Sequence, residues 1–522
     1  MEEPGSVPLA KSLNDIYTDD ALPGQTKRWQ HLVEQFKTNY GHSPQFVSRS
    51  PGRVNIIGEH IDYSLYSVLP MAITADVLLA VSVIDEEKPS DFYTIKISNV
   101  QPDKFPSHEF TIPFDSVEID AKVHEWTNYF KSGLRGALEL LRRKRGSYNK
   151  PVSVEILVDG TVPAGGGLSS SAAFVSSSAL AVMYANGEKA VDKRELTELA
   201  IVSERAVGVN SGGMDQAASV LSLRGSALFV SFVPTLTAKP VKFPKTSPEL
   251  SFVIAQSFVS ADKHVTGPVC YNLRVVECSL AAAYLHAKLG KSNKPLPEDS
   301  GPLKISLNGF HQQYFRISDK RVEDQLKELI ELTKTTLTKD DGYTRAEIAS
   351  VIGMSVDELN ERFTFTFPVR AEHFKLRQRA LHVFSEALRV LQFMTILENP
   401  ASHLSGDTSA NTESLNRRLG DLMNETQDSC RELYECSCPE IDQLCDIARR
   451  AGSYGSRLTG AGWGGCSVHL VPADKVQAVK EAWDKEYYSK MVLSPEQKES
   501  AVVVSKPGSG SAVFVLGGQG VV

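Results

Sequence analysis

Four segments of this 522-residue chain gather residue types that bind anions, hydroxyls or metal ions. In Pro163-Ala164-Gly165-Gly166-Gly167-Leu168-Ser169-Ser170-Ser171, three consecutive glycines remove the Cβ barrier to close backbone approach, so peptide N–H groups can converge on an anion. A helix beginning there adds the positive end of its dipole, and the serines can cap that helix or offer hydroxyls to phosphate or Mg2+. The spacing is not the GxxxxGKS/T of a P-loop, so a phosphate site here is of another type. Taken alone, the segment also reads as a flexible turn capped by serine.

Ser50 to Tyr63, SPGRVNIIGEHIDY, sets Arg53, Glu59, His60 and Asp62 within ten residues. Carboxylates accept from hydroxyls, and this density of donors and acceptors suits a sugar or other polyol. Singly, Asp62 would be a solvated turn residue and His60 a satisfied, partly buried one; their clustering points the other way. In Gly208 to Gln216, Asp215 follows Gly212 and Gly213 and can reach into a cleft as a general base. Arg53, if opposite, would keep it ionised and stabilise transferred phosphate charge. An N-cap is the plainer reading of Asp215. Eleven residues upstream, Glu204 closes an expected helix, where it either shares Mg2+ with a loop serine or faces solvent. Lastly, Arg457 to Val468 places four glycines around Trp463, which lets the backbone pass close to a ligand or to another backbone before a strand at Cys466.

The elements that must carry these groups follow from periodicity. Helical spacing is expected over Thr26–Tyr40, Trp126–Lys144, Ala172–Ala185 with a stop at Asn186-Gly187, and Lys193–Val207. Phe46 to Ile84 reads as short strands broken at Pro51-Gly52, Gly58 and Pro70, and Val152, Val154, Ile156 and Val158 alternate as one face of a strand. The glycine-rich loop thus lies between a strand and a helix. Pro234, Pro240 and Pro244 suggest a crossing between lobes. The expected division is a loosely ordered leader over 1–24, a first lobe over 25–240 and a second over 241–522. The second lobe carries a polar helical insertion at about 288–365, with capping boxes at Thr344-x-x-Glu347 and Ser355-x-x-Glu358.

Composition narrows the function. With 42% hydrophobic and 23% charged residues, the chain is neither disordered, collagenous nor a disulfide miniprotein. A net charge of −7 without a basic field argues against nucleic acid. Seven sparse cysteines fit free thiols in a reducing compartment, and Cys430, Cys436, Cys438 and Cys445 lack the CxxC pair or histidine of a zinc site. No secretory signal is read at the N-terminus, and the most apolar window, Val68–Ile84, is interrupted by Pro70 and Asp76 and reads as buried sheet rather than a membrane span. The expected address is cytoplasmic.

The motifs, in order, resemble a known family. SPGRVNIIGEHIDY looks like the galactokinase signature, PAGGGLSSSAA like the ATP-phosphate motif of the GHMP small-molecule kinases, and RLTGAGWGGCSV like that superfamily's third motif, with GGMDQAAS between. The resemblance runs from Phe46 to Pro472 and is greatest to the fungal galactokinases. It implies an α+β, two-lobed GHMP kinase fold with the active site in the cleft between N- and C-terminal lobes. The implied activity is ATP-dependent phosphorylation of the C1 hydroxyl of α-galactose, the entry step of galactose catabolism. On matching positions, the resemblance implies Arg53, Glu59, His60, Asp62, Gly213, Asp215 and Tyr271 around the sugar. It implies Gly165, Gly166, Gly167, Leu168, Ser169, Ser170 and Ser171 around the triphosphate of ATP, Ser171 and Glu204 near Mg2+, and Trp126 in the adenine pocket. Asp215 would take the C1 proton and Arg53 support the developing charge. The neighbouring reading within this chemistry is an N-acetylgalactosamine kinase. A different one is a galactose- and ATP-binding co-inducer that contacts a transcriptional repressor; such a relative lacks a Ser-Ala pair after the glycines, and Ser171-Ala172 is present here. Nothing in the sequence supports a regulatory protein partner.

Overall fold

The computed structural model describes residues 5–85, 91–120, 123, 125–146, 150–207, 212–260, 268–290, 295–365, 369–400 and 412–516. The strands are β1 (Leu9–Ala10), β2 (Phe46–Ile57), β3 (Leu69–Ile84), β4 (Phe92–Asn99), β5 (His108–Pro113), β6 (Ser153–Gly160), β7 (Ala227–Ser231) and β8 (Thr237–Val241). They continue as β9 (Leu250–Gln256), β10 (Tyr343–Thr344), β11 (His373–Phe374), β12 (Gly455–Thr459), β13 (Cys466–Pro472), β14 (Val502–Ser505) and β15 (Ala512–Val515). One mixed sheet has the order β1-β15-β2-β3-β6-β4-β5, and a second has β12-β13-β9-β14.

The long antiparallel pair β2 and β3 is the spine of the first sheet. The expected break at Pro51-Gly52 does not end a strand. A register shift between Pro51 and Arg53 absorbs it as a bulge, where proline costs no ladder bond, and Pro70 pairs with Asn55 within β3. Five helices, α1 (Leu22–Tyr40), α2 (Thr127–Arg145), α3 (Ser170–Ala185), α4 (Lys193–Arg205) and α5 (Met214–Leu221), complete this half of the molecule. α3 is buried on nearly every face; its run of Ala and Ser lets it lie close to sheet and helices alike. It ends at Asn186 and a left-handed Gly187, as the sequence indicated.

Two boundaries differ from expectation. The N-terminal segment is not a loose leader from residue 5 onward: β1 pairs with β15, and Leu13, Ile16 and Tyr17 are buried. Pro, Gly and acidic residues hide these few apolar anchors from a periodicity reading. Likewise β15 pairs with β2, so residues 512–515 belong to the first sheet rather than to a second lobe running to the end. A buried charge cluster secures this return. Asp76 accepts from Tyr17 Oη at 2.7 Å, Arg28 Nη1 at 2.6 Å and Arg49 Nε at 2.6 Å, while Arg49 Nη1 also donates to the carbonyls of Ser509 and Gly510. Burial pushes the Asp76 carboxyl up, but Arg49 and Arg28 outweigh it and hold it below its ordinary value.

Beyond β9 come the helices α6 (Tyr271–Leu289), α7 (Leu307–Tyr314), α8 (Val322–Thr336), α9 (Arg345–Ile352), α10 (Val356–Leu359), α11 (Leu376–Glu398) and α12 (Glu413–Glu432). α7 to α10 form the insertion, and both expected capping boxes are made. By length and composition α11 could cross a membrane. It is instead mostly buried inside the protein and carries the hydrogen-bonded Arg379, His382, Glu386 and Arg389.

Candidate active site

Arg53, on β2 just past the bulge, joins two of the singled-out segments. Its Nε donates to Asp215 Oδ1 at 2.8 Å and its Nη2 lies 2.6 Å from the same oxygen, while Nη1 donates to the Gly167 carbonyl at 2.7 Å. The Arg53 N–H takes the next carbonyl, Leu168 O, at 3.1 Å. Burial works against the guanidinium charge, but Asp215, with Glu59 and Asp62, outweighs it, and the pKa of Arg53 is raised. Arg53 is therefore a fixed cation between a carboxylate and the glycine-rich loop.

That loop is built as the sequence suggested, with one difference. Gly165 and Gly167 are left-handed, at φ 72° each. Ser169, the N-cap residue of α3, is also left-handed, at φ 61°, and makes no side-chain cap bond. The expected serine cap is replaced by backbone strain, and the buried Ser169 hydroxyl has no partner among the described residues. With Arg53 holding the carbonyls, the N–H groups of Gly167, Leu168 and Ser169 donate to no acceptor among the described residues and are available to an anion at the start of α3.

The glycine turn between β12 and β13 supports this loop from below. A Cβ on Gly167 would lie 2.8 Å from Thr459 O, and one on Gly460 2.2 Å from Gly167 O. The two open readings of the fourth segment are thus resolved at these positions: backbone packs on backbone.

Asp215 sits in the first turn of α5, whose N-cap is Gly213 at φ 114°; it is not the cap. It keeps 16% of its side chain exposed, whereas Glu59, Asp62 and Glu204 are buried, so among these acids it is the one open to a reactant. Asp62 accepts from the Met214 N–H at 3.3 Å, which ties the Arg/Glu/His/Asp segment to the Asp215 turn. Burial, then the neighbouring Asp215 carboxylate, pushes the Asp62 carboxyl up to about 6. Tyr271, the first residue of α6, has its ring 5.6 Å from those of His60 and Tyr63. Burial, then Asp62 and Asp215, raises its phenol well above its ordinary value, so it stays an O–H donor.

Glu59 and His60 are more engaged with protein than the sequence suggested. Glu59 Oε2 accepts from Arg457 Nη2 at 2.5 Å and from the Gly460 N–H at 3.0 Å; Oε1 has no described partner. His60 Nε2 faces Ala461 O at 2.9 Å and Nδ1 faces Tyr63 Oη at 2.9 Å, so both ring nitrogens have protein partners. The turn they occupy is held by Glu386 of α11, whose Oε1 accepts from the N–H groups of Gly58 and Glu59 at 2.8 and 3.2 Å. Arg457, Glu386 and His382, whose Nε2 bonds Glu59 O, were not singled out as site residues from the sequence. The available signal was His382 and Glu386 at i, i+4, two polar groups on a face that the helix's apolar residues mark for burial.

Glu204, at the end of α4, is buried and accepts from the Gln216 side chain, the neighbour of Asp215. Ser171 lies in the first turn of α3. Trp126 is half-buried before α2, its ring stacked on Phe174 of α3 at 5.9 Å and its Nε1 donating to Pro106 O. A row of open peptide N–H groups, a fixed arginine and an accessible carboxylate beside a turn dense in hydrogen-bonding groups are parts suited to moving a phosphoryl group onto a hydroxyl.

Comparison with known proteins agrees with this chemistry. Residues 128–222 match the GHMP kinases N terminal domain and residues 411–490 the GHMP kinases C terminal domain, which sets the class as small-molecule kinases of that superfamily. The galactokinase galactose-binding signature matches residues 34–83. A galactokinase of Saccharomyces cerevisiae is 42% identical over 93% of this chain and 94% of its own, and one of Candida albicans is 40% identical over 97% and 98%. A solved structure, Lactococcus lactis galactokinase complexed with galactose, shares the fold with a TM-score of 0.62 at 22% identity, covering 92% of this chain and 99% of that one. The chain belongs to the galactokinase family.

Proposed function

We propose that the chain transfers the γ-phosphoryl group of ATP to the C1 hydroxyl of α-galactose, giving galactose 1-phosphate and ADP. The observation that carries this reading is the Arg53 bridge between Asp215 and the Gly167 carbonyl, which puts carboxylate, cation and phosphate cradle within hydrogen-bond reach of one another. Asp62, Gly213, Tyr271 and Glu59 Oε1 surround the sugar, and His60 shapes that turn. Asp215 accepts the C1 proton as the oxygen attacks, and Arg53 offsets charge spreading over the phosphoryl oxygens. Gly165 to Ser171 wrap the triphosphate through peptide N–H groups and the free Ser169 hydroxyl. Trp126, braced by Phe174, lines the adenine side.

The family implies Mg2+ with the nucleotide. The hydroxyl of Ser171 and the buried carboxylate of Glu204 are hard oxygen donors of the kind this ion takes, so these residues fit it. When bound, the ion neutralises charge on the phosphates. A reducing compartment, the cytoplasm, suits the seven unpaired cysteines. The test is ADP release with Mg·ATP and galactose, glucose or N-acetylgalactosamine supplied separately. Turnover with galactose and not glucose is expected. Turnover with N-acetylgalactosamine alone would change the sugar assignment, and binding of galactose and ATP without turnover would move the assignment to signalling.

A further inference from the structure

Beyond the residues that touch substrate, one buried side chain from the far half of the sequence reaches the sugar turn. Tyr434 follows α12, is fully buried and cannot contact a ligand in the cleft. Its hydroxyl is hydrogen-bonded to that of Tyr63, which in turn bonds His60 Nδ1 at 2.9 Å; on its other side Cys278 Sγ of α6 lies 3.2 Å away. The Tyr434 ring lies between two imidazoles, with centroids 4.9 Å from His60 and 4.3 Å from His382. Its own backbone is pinned: Arg274 Nε donates to Tyr434 O at 2.7 Å, and Arg379 donates to Leu433 O.

His60 needs such support. It is a non-glycine residue at φ 61°, a left-handed conformation that persists only where surroundings over-determine it. It stands between Glu59 and Asp62 in the chain, so its backbone conformation bears on the placement of both carboxylates. Besides this hydrogen-bond chain, the ring is held by Ala461 O on Nε2 at 2.9 Å and by the Cys436 thiol.

We propose that Tyr434 is a positioning residue for sugar recognition: through the Tyr434–Tyr63–His60 hydrogen-bond chain it locks the strained His60 turn and thereby the placement of Glu59 and Asp62. This rests on the reading that the turn takes the sugar. Removing a buried hydroxyl from such a chain is worth about three- to tenfold in an equilibrium constant.

The experiment uses the full chain with Tyr434→Phe, Tyr63→Phe and the double variant, measuring KM for galactose, KM for ATP, kcat and Tm. Tyr434→Phe keeps the ring between the two histidines and removes only the hydroxyl. The expected result is a three- to tenfold rise in KM for galactose with KM for ATP within twofold, and a double variant no worse than the poorer single one, because both break the same chain. Unchanged KM for galactose, equal rises in both KM values, or additive single effects would each overturn the proposal. If the protein with Tyr434 intact fails to phosphorylate galactose, the underlying sugar reading is what fails. Should Tyr434→Phe not fold, Tyr63→Phe carries the same KM split alone.

Discussion

Asp62 links pH to both folding and binding. Its carboxyl lies near 6 in the protein, raised first by burial and then by Asp215, against an ordinary value of 3.8. A group raised on folding contributes stability that is complete below the lower value and lost as pH rises through the upper one. Ionising Asp62 in the free protein therefore costs on the order of 3 kcal/mol by pH 7. On the proposed function, ionised Asp62 is also the form that accepts a sugar hydroxyl. Asp62→Asn is accordingly expected to be more stable than the native chain at pH 7.5, with the gap closing toward pH 4, and to bind galactose more weakly. Thermal unfolding across this range, with and without galactose, checks it. In the native chain galactose affinity should rise as pH passes about 6 and then level off. At this scale chemistry offered Arg53 as a partner for Asp215 on the condition that the two lay opposite, and their hydrogen bond meets that condition. The sequence singled out Glu59 and His60 but not what holds them: Arg457 lies 398 residues from Glu59, Ala461 lies 401 from His60, and Glu386 lies 328 from Gly58.

At the scale of elements, the glycine-rich loop and the β12–β13 turn act as one unit, because each glycine leaves room for the other's backbone. Gly167→Ala places a Cβ 2.8 Å from Thr459 O in a residue at φ 72°. Strain of this kind is about 1–3 kcal/mol, so KM for ATP is expected to rise about tenfold while galactose binding stays within twofold. Steady-state kinetics with each substrate varied in turn measures the split. Helices α1 to α4 were legible within a few residues because period and stop signals coincide, as at Asn186-Gly187. The β2 bulge was not, since Pro51-Gly52 carries the same signal whether it ends a strand or kinks one.

At the scale of the molecule, the chain's two ends close the first sheet. β1 and β15 lie side by side, and the Asp76 cluster ties them to α1, β2 and β3 through Tyr17, Arg28 and Arg49. Sequence reading split the ends into a leader and a distant lobe because nothing local to either announces a partner some 500 residues away. Arg49→Met leaves Asp76 short of one of its two cations in a buried site and is expected to lower stability by about 3 kcal/mol. Denaturant unfolding should show it as a lower midpoint, with KM values of the surviving folded enzyme nearly unchanged.

The central claim is that Asp215, held by Arg53 at the mouth of the phosphate loop, takes the proton from the sugar. The most direct measurement is turnover and galactose affinity of Asp215→Asn side by side, since the amide keeps the shape and loses the base. The account predicts a fall in kcat of about a thousandfold or more, with galactose affinity within about tenfold. Retention of near-normal kcat would contradict it.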